Sequence, residues 1–292
     1  MTVRRTLPSR ERTLIGAWCF VDHYGPDLVA ESGGMSVAPH PHIGLQTVSR
    51  LFTGEVEHRD SAGHHAFVRP GELNLMTAGR GISHSEVSTP STTVLHGAQL
   101  WVALPDAARD EFPGFEHYVP EPVQGPGWVA RVFLGSLAGS RSPVVTATPL
   151  LGAEVVLEAG AEVEFDIDPR YEVGVLVDEG DVVANEQAIT AHELGYLEPG
   201  SASLHLTAGS GPVRLLVLGG PPFGEPIVMW WNFVGRTHED IEAAREEWQR
   251  QITGVGDSQD VAPGWFGTVV GDHLLPIPAP ALPNGVRLKE RR

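Results

Sequence analysis

Short runs of β-forming residues, each cut off by Gly, Pro or Asp, leave this chain little room for anything but a β-fold. The run Leu45-Gln46-Thr47-Val48-Ser49-Arg50-Leu51-Phe52 ends at Thr53-Gly54, and similar runs recur at 95–104, 127–134, 153–157, 171–177, 181–184 and 214–218. Their spacing suits a sandwich or barrel, so the fold class is expected to be all-β. At 292 residues the chain exceeds the usual size of one domain, and two similar domains are expected. The small and polar stretch 137–143 separates two sets of runs and puts the domains at 1–139 and 140–225, with a further segment at 226–292. That last segment holds the one helical pattern, 237–248. It opens on a Thr-x-x-Asp cap and spaces Ile241, Ala244, Arg245 and Trp248 along a narrow stripe, which predicts a surface helix. Beyond Gly254 the chain is rich in Pro and Gly, notably 275–283, and is expected to wrap a domain in extended conformation.

Twenty Lys and Arg stand against 37 Asp and Glu, a net charge of −17. Such a field repels phosphate backbones and argues against direct nucleic-acid binding. No apolar run approaches a membrane span and no signal sequence opens the chain, so the expected setting is the cytoplasm. Cys19, the one cysteine, sits in an apolar stretch and reads as core.

The chemistry lies in histidines. Residues i and i+2 of a strand face the same side, so His40 and His42 project together; His84 and Glu86 repeat the relation about forty residues on, after a glycine-rich turn. Two neighbouring barrel strands would bring three imidazoles and a carboxylate to one point, a donor set suited to a divalent transition metal. His58 and Asp60 form a similar pair and His64-His65 follow in a turn; surface positions are the expectation for these, a supporting role at the pocket mouth the alternative. Gln99 and Trp101 share a strand face and are candidates to flank the cavity. In the second domain His192 and His205 have no i+2 partner and read as structural.

These segments resemble the cupin superfamily and, more closely, the pirin family. The resemblance is carried by His-Pro-His-Ile-Gly at 40–44, Glu57-His58-Arg59-Asp60-Ser61 and the run 75–86 ending in His84-Ser85-Glu86, and extends to 18–26, 99–102 and 222–227. It implies two tandem cupin barrels, the first holding iron through the residues matching His40, His42, His84 and Glu86, the second without a metal. The general cupin pattern has a carboxylate at the position of Gln46, so here the acidic ligand falls to Glu86, the pirin arrangement. Fe(II) is the first choice of metal, with Mn, Ni, Cu or Zn as substitutes. The resemblance further implies either a dioxygenase of quercetin 2,3-dioxygenase type, with Glu86 as catalytic base toward a small aromatic chelating substrate, or a non-catalytic, redox-dependent regulator of a protein partner. A monomer is the default for a chain already containing two barrels.

Overall fold

In the computed structural model, which describes residues 1–253 and 264–291, the β runs pair into two barrels, each built from a six-stranded and a four-stranded sheet. The first barrel's larger sheet runs in the order Val3–Leu7, Trp18–Leu28, Val94–Ala103, Leu45–Thr53, Leu73–Thr77, Gly114–Tyr118. Its smaller sheet runs Ser36–His42, Ile82–Ser88, Val56–Asp60, His65–Val68. The second barrel repeats the plan, with Leu151–Leu157, Val213–Gly220 and Glu172–Glu179 in the middle of its larger sheet. The all-β expectation and the tandem cupin architecture hold.

The division between the barrels falls earlier than 139/140. Strands Val123–Gly125 and Trp128–Leu134 pair into the second barrel's larger sheet, so sheet membership changes between Tyr118 and Val123. The small residues near 139 instead make the tight turn of a hairpin, Ser136–Leu137 with Ser140–Arg141, where Ala138 and Gly139 both take positive φ. Small-residue composition marks a turn, whereas sheet membership is decided by long-range pairing that composition does not encode.

The larger sheets pack on each other. Leu7, Trp18, Val48 and Leu100 of the first barrel meet Phe133, Leu176, Leu216 and Leu218 of the second in one apolar cluster. Trp18 is sealed there and its Nε1 donates to the carbonyls of Leu151 and Gly219 across the interface, so the indole buries its area without losing its hydrogen bond.

The C-terminal segment folds back over the first barrel. A hairpin, Val228–Trp230 with Phe233–Gly235, leads into helix His238–Thr253, which is longer than the sequence pattern predicts. Ile241, Ala244, Trp248 and Gln251 are buried and pack with Phe233 and Phe266, so the narrow stripe suffices to dock the helix. The first ten residues after Thr253 lie outside the described residues; from Gly264 the chain wraps as expected. The amide of Ile277 donates to Pro39 and that of Ala279 to the Gln249 side chain.

Candidate metal centre

Strand Ser36–His42 contains Pro39 and Pro41, which can only sit at a sheet edge because proline cannot donate to a ladder. It is the edge strand of the smaller sheet. The C-terminal segment covers that edge, through the Ile277–Pro39 hydrogen bond and a bridge between Ile43 and Phe233. At Gly44 φ is +66° and a Cβ would lie 2.0 Å from the carbonyl oxygen of Val234, so only glycine admits the hairpin this closely.

Strand Ile82–Ser88 lies between two neighbours that each bring a histidine. His84 stands opposite His40 on one side and Asp60 on the other, and Glu86 stands opposite His58. Nε2 of His42 is 3.1 Å from Nε2 of His84, and the His40 ring centroid is 4.3 Å from that of His84. Ligand-type atoms of His40, His42 and His84 all lie within 4.8 Å of one another. Glu86 falls in an adjoining group of the same tightness, with His58 and again His84. The structure thus brings the three imidazoles together and places Glu86 beside them through the shared His84. His40, His42, His84 and Glu86 are 7%, 1%, 1% and 5% exposed.

Hydrogen-bond partners fix most of the protons. Nδ1–H of His40 donates to Ala38 O and Nδ1–H of His42 to Asn232 O, which leaves both Nε2 atoms as bare lone pairs. His84 Nδ1 is 3.3 Å from His58 Nδ1, and His58 Nε2 is 3.4 Å from Asp60 Oδ2. If His84 carries its proton on Nδ1 it donates to His58, and His58 donates onward to Asp60, with every ring neutral. His84 Nε2 then faces His42 Nε2 lone pair to lone pair, an arrangement that a cation between them satisfies. Without a cation, His84 Nε2–H must donate to His42. Two bare nitrogens, a third that is bare when His84 is protonated on Nδ1, and a nearby carboxylate are a donor set that fits a divalent transition metal.

Electrostatics keeps the three rings neutral. Burial lowers His40 to about 4 against the help of its Ala38 hydrogen bond, with the charge of His58 adding to the fall. Burial also holds His42 and His84 well below the usual imidazole range, and their histidine neighbours reinforce it. Glu86 moves the other way: burial raises its carboxyl, partly offset by the charge of His58 and a 2.9 Å hydrogen bond from the Ser49 hydroxyl.

The surface expectation for His58 and Asp60 is corrected: both are 3% exposed and they contact the centre. Asp60 is braced further by the Ala62 and His64 amides. His64 and His65 stay toward solvent, pairing with Asp60 and Glu57. Trp101 stacks on Phe20 and stands edge-on 5.2 Å from the His42 ring, whereas the Gln99 side-chain amide lies 2.9 Å from the Ser49 hydroxyl, whose one proton goes to Glu86. Gln46, at the position of the missing carboxylate, donates to Thr77. Asn232, which orients His42, carries no sequence signal. Among the described residues no three-residue group of potential ligands falls wholly within the second barrel. That barrel carries a cavity of about 770 Å³ lined by Arg141, Asp166, Asp168 and Tyr171; no histidine lines it, and the metal-type chemistry lies elsewhere.

Two antiparallel barrels in tandem, the first with a buried histidine cluster fitted for a metal, define a bicupin. The chain belongs to the pirin family: the family's own profile matches residues 1–102, and that of the pirin C-terminal cupin domain matches residues 152–254. The "Putative quercetin 2,3-dioxygenase PA1205" of Pseudomonas aeruginosa is 44% identical over 85% of this chain and 79% of its own length. A pirin-like protein of Caulobacter vibrioides is 34% identical over 85% of this chain and 88% of its own. The crystal structure of a quercetin 2,3-dioxygenase from Acinetobacter baumannii superposes with a TM-score of 0.88 at 39% identity, covering 98% of this chain and 92% of that one. No helix among the described residues is long and apolar enough to cross a membrane.

Proposed function

We propose that this protein is an iron(II) dioxygenase cleaving a flavonol-like chelating substrate, in the manner of a quercetin 2,3-dioxygenase. The observation that carries the reading is the convergence of three buried imidazoles beside a buried carboxylate, in a chain 39% and 44% identical to proteins bearing that name. His40, His42, His84 and Glu86 would hold the ion. Iron(II) bound there would supply open positions for water, for dioxygen or for the adjacent hydroxyl and carbonyl of a bidentate substrate. Glu86 is the base that takes the hydroxyl proton. Ser49 donates to its Oε1 and so orients the carboxylate. Trp101 beside His42 and Phe115, 4.9 Å from the His58 ring, offer apolar faces for an aromatic ligand.

The test is aerobic turnover of quercetin by iron(II)-loaded protein, with metal content measured alongside. Cleavage that follows the metal and disappears in His42→Ala is the expected result. Bound iron with no turnover overturns the reading. A Glu86→Gln protein that keeps its metal and full turnover removes Glu86 as the base.

One contact favours a second reading. His42 donates to Asn232 in the C-terminal hairpin, so a change in the charge at the centre can be felt by the segment that covers it. In that reading the protein is a regulator whose surface for a protein partner follows the redox state of iron. Equal protease sensitivity of the C-terminal segment in air-oxidised and dithionite-reduced protein would remove it.

A further inference from the structure

The ligand-type residues of that centre all lie in the first barrel, yet another cluster of such residues joins the two barrels. His23 on strand Trp18–Leu28 and His96 on strand Val94–Ala103 each place Nε2 2.6 Å from one oxygen, Oδ1 of Asp178 on strand Glu172–Glu179 of the second barrel. The two Nε2 atoms are 3.4 Å apart. His23, His96 and Asp178 are 0%, 5% and 2% exposed. Arg214 Nε donates to the other oxygen of Asp178 and so orients the carboxylate. Phe52 closes one side, its ring 5.0 Å from that of His96 and 4.7 Å below the Arg214 guanidinium.

A hydrogen-bond network alone leaves an atom unexplained. With both Nε2–H groups donating to Asp178, Nδ1 of His23 is sealed from water and has no partner. Beside it stands His192, its ring centroid 5.1 Å from that of His23, and its own buried Nδ1 also lacks a partner. Two orphan nitrogens next to three converging donors call for a different distribution of protons.

The geometry points to a second divalent-cation site at the barrel interface, ligated by Nε2 of His23, Nε2 of His96 and Oδ1 of Asp178. Both rings then carry their proton on Nδ1, and the adjacent His192, whose Nδ1 also lacks a partner, is the acceptor available to His23. Tetrahedral ligands at zinc distances sit roughly 3.3 Å apart, which matches the 3.4 Å between the nitrogens and asks the carboxylate oxygen to withdraw by roughly 0.7 Å. Two imidazoles and a carboxylate without thiolate suit zinc, cobalt, nickel or iron(II). Because Asp178 comes from the second barrel and both histidines from the first, the ion is a staple between them and stabilises the folded chain by mass action. This site is independent of the one assigned to catalysis.

The experiment uses metal-free full-length protein carrying His42→Ala and His84→Ala, which disables the first centre, with folding checked by circular dichroism. Titration with zinc(II) is expected to show one bound equivalent and a rise in Tm, and cobalt(II) should give visible absorption of a site with nitrogen ligands. Adding His96→Gln is expected to abolish all three signals. If the double variant does not fold, the same comparison is made in the wild-type background, where two equivalents fall to one in His96→Gln and, separately, in Asp178→Asn. A folded double variant that binds no zinc, or a stoichiometry indifferent to His96→Gln and Asp178→Asn, overturns the proposal and leaves a hydrogen-bonded cluster.

Discussion

His40, His42, His84 and Glu86 show their pairing in the sequence because a strand's two-residue period is local. His58 does not: it faces Glu86 only because strands Val56–Asp60 and Ile82–Ser88 are neighbours, a long-range fact its own surroundings do not reveal. As the orienting partner of His84, His58 is expected to matter to metal affinity without being a ligand. His58→Ala should weaken metal binding by about 10–100-fold while the fold persists, measured by competition with a chelator. An affinity unchanged by His58→Ala would mean that His84 is oriented otherwise. Buried imidazoles also set a pH dependence in the metal-free protein. His40 titrates at about 4 when folded and near 6.5 when unfolded, and His42 and His84 shift in the same direction. The unfolded chain therefore binds more protons as pH falls, so this stability is full above about pH 6.5 and is lost on descent toward 4. Urea midpoints of chelator-treated protein should drop between pH 6.5 and 5, and the drop should shrink in His84→Gln.

Among the elements, the helix shows how a local motif survives into the structure. Thr237 Oγ1 accepts the Asp240 amide, and Asp240 Oδ2 accepts the amides of Thr237 and Arg236, the reciprocal cap that Thr-x-x-Asp predicts. Asp240 also pairs with Arg109, tying the helix to the loop that follows strand Val94–Ala103. Burial alone would raise its carboxyl, but these backbone and guanidinium donors win and hold it below the usual range. Asp240→Ala is expected to cost about 1–2 kcal/mol in urea unfolding at pH 7. The difference from wild type should fade as pH falls below about 4, because a depressed carboxyl contributes only while ionised. A loss that does not shrink down to the lowest pH at which both proteins stay folded would show that packing rather than charge is responsible. The strand runs were legible for the same local reason, by period and turn residues. Which barrel owns Trp128–Leu134 was not, because its partner, Leu151–Leu157, lies beyond a hairpin whose small residues look like a linker.

At the scale of the molecule, the two barrels are held by an apolar interface with a charge inside it. Arg50 is fully buried on strand Leu45–Thr53 of the first barrel and pairs with Glu154 on strand Leu151–Leu157 of the second; it also donates to Glu72 O and lies 4.9 Å from the Phe133 ring. Nothing in the sequence marks either residue, since each sits in an ordinary strand pattern and they are 104 positions apart. Two charges taken out of water gain little net stability from each other, but each is costly without its partner. Removing the carboxylate leaves a sealed guanidinium, so Glu154→Leu should cost about 3–5 kcal/mol. Arg50→Met should cost less, because the Glu154 side chain keeps 10% exposure and can turn toward water. The double variant, with an apolar pair filling the same space, should be more stable than Glu154→Leu alone, a coupling read from urea unfolding of all four proteins. Additive losses would mean that the pair does not act as a unit.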